Sequence, residues 1–111
     1  MMFYEFTAGN KEYKLRLTTR NIISLEKQLG CNPLGIFGNG EVLPTVTQMV
    51  AVLHASLQSM QHGIDMAAAF DIFDDFLADG HNMTDFLPVI VEVYKVSGLI
   101  SKDKEVSSEK N

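Results

Sequence analysis

Tryptophan is absent from this 111-residue chain, cysteine occurs once and proline three times. A single cysteine, Cys31, forms no internal disulfide, which agrees with a reducing compartment. With no His or second Cys near it in sequence, Cys31 reads as an ordinary small residue beside a helix end and not as a reactive thiol. No run approaches the roughly eighteen apolar residues that a membrane-spanning helix needs. The N-terminus MMFYEFTAGNKEYK has neither the basic start nor the apolar stretch of a signal peptide. The expected location is the cytoplasm in which the chain is made, with no membrane partner.

Basic residues are missing from most of the chain. Between Lys27 and Lys95 there is no Lys or Arg, while the interval holds Glu41, Asp65, Asp71, Asp74, Asp75, Asp79, Asp85 and Glu92. A nucleic-acid surface must neutralise phosphates with cations, so DNA and RNA binding are not expected. An acidic helical surface favours a basic or amphipathic protein partner instead. The net charge of -5 understates this asymmetry, because both ends of the chain are slightly basic.

Catalytic constellations are missing as well. There is no G-x-S-x-G, and no His or Cys stands at nucleophile or ligand spacing. Gly35, Gly38 and Gly40 match neither dinucleotide nor P-loop spacing, and no lysine follows them, so they read as a connector. Asp71, Asp75 and Asp79 share one helix side, but a straight helix face does not wrap a cation and no EF-hand pattern is present. His81 with Asp79, and His62 with Asp65, lack a third ligand at usable spacing. No enzyme, metal or cofactor is expected.

The residues that are present specify a single α+β domain, mainly α, with an N-terminal β-hairpin followed by about four helices over residues 1–98 and a polar tail over 99–111. Tyr13, Leu15 and Leu17 alternate with Glu12, Lys14 and Arg16, the period of a half-wet strand. Phe3–Thr7 is the other arm, joined through the turn Ala8-Gly9-Asn10-Lys11. Two strands alone are marginal in water, so the hairpin must lean on a helix or pair with another sheet edge. Thr18 or Thr19 caps a helix over Thr19–Leu29, with Ile22, Leu25 and Leu29 as its stripe and Gly30 and Pro33 as its stop. One helical turn is expected at Pro33–Phe37, and a turn at Gly38-Asn39-Gly40.

Pro44 opens a second helix striped by Val46, Met49, Val50, Leu53 and Leu57 and reaching Met60, with Gln48, Ser56 and Gln58 as its polar side. Asp65 caps a third, Met66–Ala78, striped by Met66, Ala69, Phe70, Phe73 and Leu77 with Phe76 adjacent. Thr84 begins the last, Asp85–Ser97, which is apolar on nearly every side and is expected to be central in the fold or to face a neighbouring subunit.

The hairpin, the segment LRLTTRNIISLEKQLGCNPLGIFG and the acidic striped helices after it together resemble the small tail assembly chaperones of long-tailed bacteriophages, prophages and gene transfer agents. The likeness lies mainly in Leu15-Arg16-Leu17, in the helix end Ser24–Gly30 and in Asn32-Pro33-Leu34. It implies a non-catalytic protein of the host bacterial cytoplasm that oligomerises and coats the helical tape measure protein until the tail tube forms around it. Masking an amphipathic helix needs apolar contact surfaces. The candidates are Phe70, Phe73, Phe76 and Leu77 on the third helix, Phe86, Ile90 and Tyr94 on the last, and Leu34, Ile36 and Phe37 between the first two. Two other functions fit the same composition: a structural tail or connector component of the virion assembling by its hairpin edge, and a small regulatory module binding a host protein.

Overall fold

The computed structural model describes residues 2–38 and 43–101. An antiparallel hairpin of β1 (Tyr4–Ala8) and β2 (Lys11–Leu15) leads into helix α1 (Thr19–Leu29), a 3-10 turn (Pro33–Phe37), and helices α2 (Val46–Leu57) and α3 (Met66–Ala78). A second 3-10 turn (Met83–Phe86) runs directly into α4 (Leu87–Ser97). The architecture is α+β, mainly helical, as the pattern predicts.

The hairpin is tighter than expected, because only Gly9 and Asn10 lie between the paired ends Ala8 and Lys11. Their φ values of 60° and 65° supply the two left-handed positions that a two-residue hairpin turn of the primed type requires. Phe6, Ala8 and Leu15 are buried on the inner face, and Tyr4 packs beside them. The Phe3-Tyr4 pair that interrupts the alternation is thereby split between faces: the Lys14 ammonium sits 5.1 Å from the Phe3 ring centroid on the outer one. The turn is pinned by Asp79, whose carboxylate accepts the Gly9 N–H at 2.8 Å.

Both helix starts flanking the core have reciprocal caps. Thr18 accepts from Asn21 N–H while the Asn21 side chain accepts from Thr18 N–H, and Thr45 and Gln48 repeat the arrangement on α2. Gly30 ends α1 in the left-handed region. The stripe of α1 is narrower than its spacing suggests: Leu25 is buried, Ile22 and Leu29 are half-buried, and Ile23 is exposed.

The central helix is α2, not α4. Every α2 residue from Met49 to Leu57 is buried except His54, which is half-buried. Small residues make this possible: Ala51, Ala55 and Ser56 let α1, α3, α4 and β2 all approach α2. Ser56, expected on a polar side, is fully buried with its hydroxyl donating to the Leu53 carbonyl at 3.0 Å. On α4, Val89, Ile90, Val93 and Tyr94 face the core, whereas Val91, Glu92, Lys95 and Val96 are half-buried. Its α-helical start is Leu87 and not Asp85, and Thr84 does not cap it. Asn82 and Asp85 cap the preceding 3-10 turn instead.

The packed region also runs past Gly98. Leu99 and Ile100 lie against the core, and the Leu99 N–H reaches the Tyr94 carbonyl at 2.9 Å. The expected turn at Asn39 and Gly40 and the polar tail from Lys102 onward lie outside the described residues.

Candidate functional site

The sequence nominates ten apolar side chains as partner contacts, and the fold divides them. Phe73, Phe76 and Phe86 join Phe6 in one aromatic cluster. The edge-on Phe73–Phe86 pair has a centroid separation of 5.2 Å. His81 closes the cluster from outside, stacked 4.3 Å from Phe76, with its Nδ1 3.6 Å from the Asp85 carboxylate. Tyr94 and Ile90 are fully buried and Ile36 nearly so. Phe37 lies edge-on to Tyr94, whose hydroxyl donates to the Pro33 carbonyl at 2.9 Å. Burial holds the Tyr94 hydroxyl far above the usual tyrosine pKa, with the nearby Cys31 adding to the shift. These contacts make Ile36, Phe73, Phe76, Phe86, Ile90 and Tyr94 parts of the core, and Leu77 and Phe37 half-buried supports of it.

Two nominees remain open. Leu34 is 38% exposed on the 3-10 turn, and Phe70 is 53% exposed on α3. The burial of α3 explains Phe70. Ala69, Ile72, Phe73 and Phe76 form the buried stripe, which is turned one position from the expected one, so Phe70 falls beside it and not within it.

Phe70 stands at an apolar groove of about 500 Å³. Its walls come from Val46, Thr47 and Val50 on α2 and from Met66, Phe70 and Phe73 on α3, with Gln28 of α1 and Asp74 at the polar margin. A smaller hollow of about 260 Å³ continues past Val46 along Leu43, Met49, Met83 and Leu87. Val46, shared by both, is 40% exposed, and Leu43 and Met83 are more than 40% exposed. The surface offers a row of aliphatic and aromatic contacts next to one carboxylate and no cation, which suits an apolar helix with basic flanks.

Sequence reasoning places Val46 and Met66 in core stripes and does not nominate Leu43 or Met83. The available signal is the surplus of apolar residues on α2: a helix already buried along Met49 to Leu57 has no inner position left for Val46.

The acidic side of α3 is also divided. Asp75 and Asp79 abut the hairpin turn, where Asp75 adds to the burial that raises the Tyr13 pKa, while Asp74 lines the groove. Among the described residues, no three His, Cys, Asp or Glu side chains are grouped as a metal site would require, and no helix is long and apolar enough to cross a membrane.

No curated protein and no solved structure matches the chain. A model of a family of unknown function, DUF6096, matches residues 5–111. With nearly its whole length matched, the chain belongs to the DUF6096 family.

Proposed function

We propose that this protein is a non-catalytic tail assembly chaperone of a long-tailed phage or prophage, working in the host cytoplasm as an oligomer that binds and masks the tape measure protein. The observation that carries this function is the open groove between α2 and α3, with Phe70 exposed on its wall and Asp74 at its margin. A tape measure is a long amphipathic helix with an apolar seam that aggregates when bare. Val46, Val50, Met66 and Phe70 supply the apolar side of a helix-in-groove contact. The acidic stretch between Lys27 and Lys95 supplies the complementary field for basic residues flanking that seam.

The test is co-expression with the tagged product of the longest downstream open reading frame. Stoichiometric copurification and a soluble partner are expected. Phe70→Asp should weaken capture by roughly thirtyfold, the loss that follows removal of an interface anchor worth about 2 kcal/mol. The circular dichroism spectrum should stay unchanged, since Phe70 is more than half exposed. Full capture by Phe70→Asp removes the groove as the binding surface. An insoluble partner with this chain left free overturns the chaperone function, and recovery of the chain from purified particles assigns it to the virion instead.

A further inference from the structure

The two edges of the hairpin are not equivalent. Ala8 and Lys11 flank a two-residue turn and so form a hydrogen-bonded pair, as do Phe6 with Tyr13 and Tyr4 with Leu15 at alternate positions. The intervening residues point their main-chain N–H and C=O groups away from the ladder. On the β2 side the outward groups of Lys14 are occupied. The Gln61 side chain accepts the Lys14 N–H at 2.7 Å and donates to the Lys14 carbonyl at 3.0 Å. Just beyond, the Arg16 N–H reaches the Ser56 carbonyl and the Ser59 hydroxyl donates to the Arg16 carbonyl. On β1, among the described residues, nothing bonds the outward groups of Glu5 and Thr7. An open groove of about 320 Å³ runs beside this edge, between β1 and the side formed by Phe76, His81, Asp85 and Pro88.

The geometry points to β1 as a self-pairing edge: a second copy adds its own β1 antiparallel to the first, across a two-fold axis at Phe6, to give a four-stranded sheet in the order β2-β1-β1-β2. Charge selects this occupant and its register. A two-fold axis at Glu5 sets two glutamates directly opposite each other, which is unfavourable. An axis at Thr7 places Glu5 opposite Gly9, where the left-handed turn and the bond to Asp79 end the ladder. With the axis at Phe6, Glu5 faces Thr7 of the second copy, and the outward N–H and C=O groups of both residues pair with each other. Each Glu5 then lies on the outer face between its own Lys14 and a neutral threonine, with no like charge opposite. An edge strand without lysine or proline to blunt it is a template for strand addition. The interface rests on the oligomeric part of the function proposed above and not on the identity of the partner.

Sedimentation of the full chain over a series of concentrations should show a monomer–dimer equilibrium. Thr7→Pro removes an N–H that points away from β2, so the hairpin ladder stays whole while the new edge is broken. Its dimer dissociation constant should rise at least tenfold. The register has a separate check that needs no proline. Cα atoms of a hydrogen-bonded antiparallel pair lie about 5.5 Å apart, within disulfide reach. In a Cys31→Ser background, Glu5→Cys with Thr7→Cys should give a covalent dimer on oxidation, and either single variant should not. A chain that stays monomeric throughout, a Thr7→Pro variant that dimerises like the parent, or single variants that cross-link as fast as the double overturns the interface. None of these results touches the Phe70 groove, which copurification judges on its own.

Discussion

Tyr94 joins two parts of the molecule that are far apart in sequence, through the bond from its hydroxyl to the Pro33 carbonyl. Tyr94→Phe keeps the ring but leaves that carbonyl without its donor inside the protein. The expected loss is about 1–3 kcal/mol of unfolding free energy, measured by urea titration. The same hydroxyl gives the stability a pH dependence. Its folded pKa lies above the ordinary value of about 10, so at alkaline pH the unfolded chain binds fewer protons than the folded one. Stability from this group is fully present below about pH 10 and is lost as pH rises toward the folded pKa. The urea midpoint should be flat up to that pH and fall above it. The fall should be shallower in Tyr94→Phe, with Tyr4 and Tyr13, also raised by burial, accounting for the remainder. At the start of α1, Thr18→Ala removes the oxygen that accepts the Asn21 N–H and should cost about 1 kcal/mol in the same titration.

Among the elements, α3 shows how closely helix register governs consequence. Phe70 and Phe73 are three residues apart, yet one is 53% exposed and the other 3%. Phe73→Ala should destabilise by about 3–5 kcal/mol through the cavity it opens, whereas Phe70→Ala should change the thermal midpoint little. The hairpin turn allows a comparable contrast. Gly9→Ala meets both the left-handed strain at φ 60° and a clash with the Asp75 carboxylate, 2.8 Å from the added Cβ. Gly63→Ala, at φ 75° with open space around it, meets strain alone, so Gly9→Ala should lower the melting temperature further.

The limits of α1 and α3 were legible because caps, periodicity and terminal glycines agree at both. The burial hierarchy was not. Periodicity reports which residues share a side but not how many neighbours close around a helix, and Ala51, Ala55 and Ser56 look unremarkable until three helices pack onto them. The start of α4 was misplaced for a local reason: Asn82 supplies a cap three residues before Asp85 and nucleates a 3-10 turn first.

At the scale of the whole molecule, the same limit applies to the candidate site. Periodicity marks apolar side chains, but which of them serve the core and which stay outside depends on how α2 and α3 are rotated against each other. Phe70, Val46 and Met66 come together only in the assembled fold. The acidic surroundings were readable directly, since a stretch without Lys or Arg is acidic in any conformation.

The seam between the hairpin and the end of α4 has a consequence for the order of events during synthesis. The Ser97 hydroxyl receives the Leu17 N–H, and Arg16 donates to the Val96 carbonyl, both across 80 residues. At translation rates of about 5–20 residues per second, the ribosome needs about 4–16 s after making Leu17 to deliver Ser97. Throughout that interval the hairpin lacks α4, which completes its shell. Completion of this seam therefore waits on delivery of α4, and until then the nascent hairpin carries its apolar Phe6, Leu15 and Leu17 without that cover.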